Sequence, residues 1–345
     1  MKVSVCIPNF NYGNYIGETI DSVLNQDYKD VEVLISDNNS TDNSWEVIQE
    51  YVKKDARVKA HQNVTNLGFA GNLDPASANA SGDVMILLSS DDVMNPGALS
   101  IFKKLKDIEG DNFAIAGTGC QKIDSEGKDL EYMPPPRKLW FESDIDTKLT
   151  EQIGYKVYKV KSGELLKRSM ETFMGPLYFL ATIYTKKVYE KAGGYSGSRL
   201  YNPDKWFHWK VLGETEYCYF IDYPFFGYRW HQNNQLAQQN RIGALKYYLD
   251  EYRATFESSK EMLQNSKVSD IQLQTAYIKN VIHKQAFRKL KIGHPMDAFR
   301  ILSLGFASYP SIMFKSKTTY ILFLLNMLGK LSYYLLKPFK RNFSN

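Results

Sequence analysis

Two adjacent carboxylates, Asp91 and Asp92, follow directly on the apolar run Val84-Met85-Ile86-Leu87-Leu88. Such a run reads as a buried strand, so both acids are delivered from the end of a rigid element. Adjacent acids repel unless positive charge lies beside them. A hard divalent cation, Mn2+ or Mg2+, supplies that charge, and Mg2+ characteristically takes one or two protein carboxylates plus phosphate oxygens of a substrate. The pair therefore suits a metal-bound diphosphate better than an all-protein metal cage. The same two residues could instead cap a helix opening near Pro96.

Two further polar clusters end apolar runs. Val3 to Ile7 leads into Pro8-Asn9-Phe10-Asn11, and Val31 to Ser36 into Asp37-Asn38-Asn39-Ser40. Asn, Asp and Ser favour turns on their own account. Three such clusters at three strand ends are also what a ligand crevice at the carboxyl edge of a parallel sheet requires. Between the strands lie helical periods at Tyr15 to Gln26, Asp42 to Lys53 and Phe69 to Asn79. This alternation predicts an α/β fold, a mostly parallel sheet flanked by helices. No G-x-G-x-x-G follows the first strand, which argues against dinucleotide oxidoreduction. Pro8-Asn9-Phe10-Asn11-Tyr12-Gly13 is also a poor match to the basic, glycine-rich triphosphate loop of a nucleotidyltransferase.

In order and spacing, several segments together resemble the family 2 glycosyltransferases of the GT-A fold. They are Val3 to Asn11, Ser22-Val23-Leu24-Asn25-Gln26, Ile35 to Asp42, Asn66-Leu67-Gly68, Asn79-Ala80-Ser81-Gly82-Asp83 and Ser90-Asp91-Asp92. The likeness resumes weakly across Ala192 to His231. It implies a catalytic domain over residues 1–239, with a Rossmann-like nucleotide-sugar-binding half (1–118) and an acceptor-binding half (119–239). It also implies inverting transfer of a sugar from a nucleotide-sugar donor, UDP-linked, to an acceptor hydroxyl.

On that resemblance Pro8 and Phe10 would line the base pocket, with Asn11, Asn66 and Gly68 in the same donor-binding set. Asp37 would accept a hydrogen bond from the base, Asp91 would hold the ribose, and Asp92 the metal on the diphosphate. Ser89 stands where many relatives carry another acid. The family's acidic catalytic position falls on Pro203-Asp204, shortly after the turn Ala192-Gly193-Gly194-Tyr195. Asp204 would then be the general base; a helix N-cap beside Pro203 is its other use. Tyr228-Arg229-Trp230-His231 resembles a tyrosine-arginine-x-histidine element, in which His231 would complete the metal shell or touch the diphosphate and Arg229 offset its charge. Tyr201, Trp206, Phe207 and Trp209 could stack on sugar rings or fill the core.

With 345 residues and 43% hydrophobic content, the chain can bury a sizeable core. Cys6, Cys120 and Cys218 are too far apart for a disulfide framework or paired metal ligands. Pro8 arrives too soon after Met1 for a secretory signal, so the first residues are expected to belong to the fold. Net charge is +5, yet no acid follows Asp297, whereas Arg300, Lys315, Lys317, Lys330, Lys337, Lys340 and Arg341 do. Residues 240–345 read as a helical C-terminal region. Within it Tyr320 to Leu336 forms an amphipathic helix with Asn326, Lys330, Tyr333 and Lys337 on one face and Ile321, Leu324, Leu328, Leu331 and Leu335 on the other. Such a helix lies on an anionic lipid surface or packs on the protein's own core.

The expected partners are a nucleotide sugar, a glycan or lipid-linked acceptor, and a membrane surface, with no nucleic acid. The expected place is the cytoplasmic side, peripheral on the inner face of the plasma membrane. A non-catalytic sugar-nucleotide sensor or membrane scaffold is the competing class. The presence of Asp204 beside the Asp91-Asp92 pair argues against it.

Overall fold

In a computed structural model of the chain, residues 1–195, 203–231, 244–329 and 331–336 are described. Strands β1 (Val3–Asn9) and β2 (Val31–Asp37) are buried at every position. Strand β1 lies between β2 and β4 (Val84–Leu87), both parallel to it, with β3 (Val58–Gln62) outside β2. A strand covered on both faces has no solvent side and cannot alternate. That is why these segments are mostly apolar on both faces, with Ser4 and Glu32, which hydrogen-bond each other, as buried polar exceptions. Helix α1 (Ile16–Leu24) buries Ile16, Thr19, Ile20 and Val23, one face of a 3.6-residue period. Helices α2 (Ser44–Lys54), α3 (Gly68–Ser77) and α4 (Ala98–Glu109) complete the first half.

The later strands are β5 (Val93–Met94), β6 (Ile115–Ile123), β7 (Asp129–Met133), β8 (Val157–Lys161), β9 (Thr182–Thr185) and β10 (Tyr217–Arg229). Among the described residues the sheet runs β3-β2-β1-β4-β9-β6-β10-β5, with β7 on β6 and β8 on β10. Its first four strands are parallel, as the sequence predicts. Strand β9 enters antiparallel to both β4 and β6, and β10 is parallel to β6 but antiparallel to β8 and β5. The sheet is therefore mixed, and its antiparallel joins all lie beyond β4. Around the second half run α5 (Thr147–Ile153), α6 (Ser162–Thr172), α7 (Lys186–Lys191) and α8 (Pro203–Gly213).

The chain divides into two compact units, Met1–Ser169 with Met174–Ile242, and Met170–Phe173 with Gly243–Asn345. The boundary expected between residues 239 and 240 falls outside the described residues. The second unit is helical throughout its described part. Its helix Asp270–Tyr277 opens with Ser269 and Gln272 in a reciprocal capping box.

The single amphipathic helix expected from Tyr320 to Leu336 is corrected. The helix Lys317–Met327 ends before Gly329, whose φ is +55°, and a separate short helix follows at Leu331–Leu336. Glycine readily takes that left-handed turn and ends helices with it. The proposed polar stripe is therefore interrupted, and Lys330 and Lys337 lie outside the described residues.

Candidate active site

The parallel register of β1, β2 and β4 brings three polar strand ends to one edge of the sheet. At the end of β2, Asp37 is 0% exposed. Its Oδ1 accepts from Asn9 Nδ2 at 2.7 Å and Ser40 Oγ at 2.6 Å; its Oδ2 accepts from the Ser40 amide at 3.0 Å and Gln62 Nε2 at 2.9 Å. A carboxylate offers about four acceptor sites, and all are taken. With these bonds the Asp37 carboxylate, expected to read the base, ties its own loop together.

Asn38 gathers the next segment. Its Nδ2 donates to Asn66 Oδ1 and the Gly68 carbonyl, and its Oδ1 accepts the Leu67 amide at 2.8 Å. Asn66 and Gly68, expected in the donor-binding set, thereby come to the β2 end. Asn72 of α3 closes the knot, accepting from Ser36 Oγ at 2.6 Å and Asn63 Nδ2 at 2.7 Å. Asn11 and Asn39 have φ of 58° and 59°, a left-handed backbone that Asn tolerates. Asn11 Oδ1 accepts the Thr41 amide at 2.8 Å, tying the β1 loop to the β2 loop. Pro8 is buried within β1, whereas Phe10 is 39% exposed, so of these two it is Phe10 that offers a face.

Neither Asp91 nor Asp92 caps α4, because Gly97 is the N-cap residue. Beyond them, β5 pairs with Phe226 and Gly227 of β10, and this lays the end of β10 against the acidic pair. The Arg229 amide donates to Asp92 Oδ1 at 2.8 Å, and Asp92 is 1% exposed. Burial pushes the Asp92 carboxyl well above the usual carboxylate range; the charge of Asp91 adds to this, while the Arg229 amide and the Ser89 hydroxyl oppose it.

The Arg229 side chain is spent inside the protein. Its Nε donates to the Asp91 carbonyl at 2.7 Å, and its terminal nitrogens reach the Asp124 and Ser125 carbonyls and Glu18 Oε2. The guanidinium also lies over the Tyr15 ring at 5.0 Å. In these contacts the fork, expected to offset diphosphate charge, braces the loop after β4. His231 stands beside Asp91 rather than Asp92, with Nε2 3.1 Å from Asp91 Oδ2 and its ring against Tyr15 and Tyr12.

These placements decide which residues could hold a metal. Among the described residues no group of three or more His, Cys, Asp and Glu side chains is set to do so. Asp91 Oδ2 and His231 Nε2 are near enough to meet one cation, and the remaining ligands would have to come from a phosphate-bearing substrate. That donor set fits Mn2+ or Mg2+. Asp92, expected as the metal acid, is turned to the Arg229 amide instead.

Asp204 is the second residue of α8 and so lies inside the helix rather than at its N-cap. Burial pushes its carboxyl above the usual range, opposed by the amide and the ammonium of Lys205. No hydrogen bond among the described residues joins it to the Asp91–His231 cluster. Of the aromatic set, Tyr201 is outside the described residues, and Trp206, Phe207 and Trp209 are 7%, 1% and 0% exposed, which makes them core. Glu18, Asn72 and Asp74 carry no sequence signal of their own; Glu18, for example, meets an arginine 211 residues away.

Residues 4–164 match the model of the family described as glycosyl transferase family 2. Over 136 residues the chain is 36% identical to the GalNAc(5)-diNAcBac-PP-undecaprenol beta-1,3-glucosyltransferase of Campylobacter jejuni, a stretch covering 38% of this chain and 44% of that protein. The chain spans less than half the length of this and other curated relatives of similar identity. Among solved structures, S. aureus TarS 1–349 in complex with UDP-GlcNAc matches with a TM-score of 0.67 at 17% identity, over 99% of this chain and 92% of that one. The mannosyltransferase PcManGT from Pyrobaculum calidifontis, in complex with GDP-Man and Mn2+, matches with a TM-score of 0.53 at 12% identity, over 99% and 88%. At these identities the structural likeness speaks for the fold alone. The family match lies over β1 to β8, just under half of the chain, and the fold around it is of the GT-A type.

Proposed function

We propose that the protein transfers a sugar from a nucleotide-sugar donor, UDP-linked, to an acceptor hydroxyl with inversion, in the assembly of a surface or lipid-linked glycan. The observation that carries this reading is the Asp91–His231 pair at the carboxyl edge of the sheet, in a chain whose residues 4–164 match the family 2 model. The relatives lend it support: the matched structures hold UDP-GlcNAc and GDP-Man, and the Campylobacter enzyme's name places its acceptor on a polyprenyl diphosphate.

In the proposed reaction Asp204 takes the proton of the acceptor hydroxyl as that oxygen attacks the anomeric carbon. The new carbon–oxygen bond forms on one face while the bond to the diphosphate breaks on the other, and the electron pair leaves with the nucleoside diphosphate. Asp91 and His231 would hold Mn2+ or Mg2+, which would offset the charge developing on that leaving group. Phe10 offers a face for the base, and Asn11, Asn66 and Gly68 form the loops around it.

The C-terminal unit supports a second element of the proposal, a peripheral seat on an anionic membrane at the cytoplasmic face. Phe314, Ile321, Leu324, Met327, Leu331 and Tyr334 are each more than half exposed. From Lys279 onward one acid, Asp297, stands against twelve Lys and Arg. Among the described residues no helix is long and apolar enough to cross a membrane. Apolar side chains with basic neighbours suit the headgroup region.

The test is a panel of UDP- and GDP-sugars, read by thermal shift with and without Mn2+ and then by product formation. Metal-dependent stabilisation by one donor, followed by transfer with inverted anomeric configuration, is expected. Binding without any turnover would favour the non-catalytic sensor, and retained configuration would remove Asp204 as the base.

A further inference from the structure

Helix α3 makes two sets of contacts from side chains two residues apart, which project to different sides of a helix. Asn72 faces the β2 end, as described above. Asp74 faces the second half, where its Oδ1 accepts the Tyr189 hydroxyl at 2.7 Å and the Tyr195 amide at 2.8 Å. The fit there is close. Gly194 has φ +58°, and a Cβ on it would stand 2.8 Å from Asp74 Oδ1, so the turn Ala192-Gly193-Gly194-Tyr195 sits directly on this carboxylate.

From its other side the turn is held by α8. Lys210 Nζ donates to the Gly194 carbonyl at 2.8 Å, and the Tyr195 ring stacks on Phe207 at 4.1 Å between centroids. Phe207 and Lys210 lie three and six residues after Asp204 on the same helix. Burial pushes the Tyr195 hydroxyl up, and the next contribution is the negative charge of Asp204, which places the two groups within electrostatic reach.

We propose that Asp74 is a positioning residue for Asp204, clamping the Gly194–Tyr195 turn to α3 so that α8 presents its first turn in one place. This rests on the reading of Asp204 as the general base. It extends that reading by making the helix that holds the β2 loop, α3, also the element that sets the acceptor-side acid.

Four proteins test it: the parent, Asp74→Ala, Asp204→Asn and the double variant, with Asp74→Asn as the conservative control because its Oδ1 can still accept both bonds. Asp204 is titrated by 13C NMR of its carboxyl, and turnover is measured with UDP-glucose, UDP-galactose, UDP-GlcNAc and GDP-mannose. Asp74→Ala should move the Asp204 midpoint by about half a pH unit or more, and Asp74→Asn should restore it. For any donor consumed, Asp74→Ala should lower kcat about tenfold with donor KM unchanged, and should cost nothing further in the Asp204→Asn background. A folded Asp74→Ala protein whose Asp204 titrates as in the parent overturns the proposal, as does an additive double variant. Full activity of Asp204→Asn would instead sink the base assignment while the titration still judged the clamp. Should Asp74→Ala fail to fold, Lys210→Met cuts the turn's tie to α8 and is read the same way.

Discussion

Asp37 ends β2 with four protein donors on its two oxygens, whereas Asp91, beyond β4 at the same edge of the sheet, meets His231 and lies next to the charge of Asp92. Both clusters look alike in the sequence, each an acid among Asn and Ser. In the first, the four donors satisfy both carboxylate oxygens within the protein. In the second, two carboxyl groups lie side by side, and a cation or a cationic ligand edge between them would offset their charge. Glu32 extends the first pattern. Burial pushes its carboxyl up, but donors from Ser4, Ser81 and Lys59 outweigh this and hold it at about 2. The capacity that remains, rather than the residue type, separates a scaffold acid from a working one.

That contrast can be broken most sharply at Asp204, an acid assigned to the working class. Asp204→Asn should cut turnover by ~10²–10⁴ while leaving Mn2+-dependent nucleotide binding unchanged by calorimetry. A variant with near-parental turnover would move Asp204 out of that class.

Asp37 tests the scaffold class. Asp37→Ala strands the buried Asn9 side-chain amide and loosens the part-buried Ser40 and Gln62, and should lower unfolding free energy by roughly 2–3 kcal/mol in a urea titration. Any loss of nucleotide affinity should follow loss of fold. Parental stability with abolished UDP binding would restore Asp37 to the base pocket.

Glu32 makes the same point through pH. Its folded value of about 2 lies below the 4.5 of an unperturbed glutamate, so its contribution is complete above pH 4.5 and is lost as pH falls through about 2. Over that window the parent should lose more stability than Glu32→Gln does. Parallel acid titrations of the two proteins would show the donors around Glu32 to be irrelevant to stability.

The smallest effect should come from comparing Asp91→Asn with Asp92→Asn. Asp91→Asn should weaken Mn2+-linked UDP binding about 10–100-fold with little change in melting temperature. Asp92→Asn keeps an oxygen for the Arg229 amide and should weaken that binding less. The reverse order would return the metal to Asp92.

Much of the scaffold is legible in the sequence. Val3 to Ile7, Val31 to Ser36 and Val84 to Leu88 are largely apolar because strands buried on both faces need to be, and Ile16, Ile20 and Val23 mark one face of a helix. Legibility falls away where strands lose that local period. Strand β6 contains Gly117 and Gly119, and β10 contains Pro224 with register shifts on either side of it. The aromatic run after Pro203 is equally open between sugar platform and core, because periodicity does not say what lies opposite a side chain; burial of Trp206, Phe207 and Trp209 settles it as core.

The sequence by itself determined which strands form the nucleotide half, that their polar ends share one edge, and that two acids stand together there, since each of these follows from contacts and periods local in the chain. Only the tertiary structure decided what each polar group faces. The Arg229 amide meets Asp92 across 137 residues, the Arg229 guanidinium meets Glu18 across 211, and Asp74 meets Tyr195 across 121. A hydrogen bond is set by a few tenths of an ångström in position. Pairings so distant in the chain acquire that position only once β5 has paired with β10 and α3 has packed beneath the turn at Gly194, so the roles of Asp37, Asp92 and Arg229 belong to the assembled fold and to no local pattern of residues.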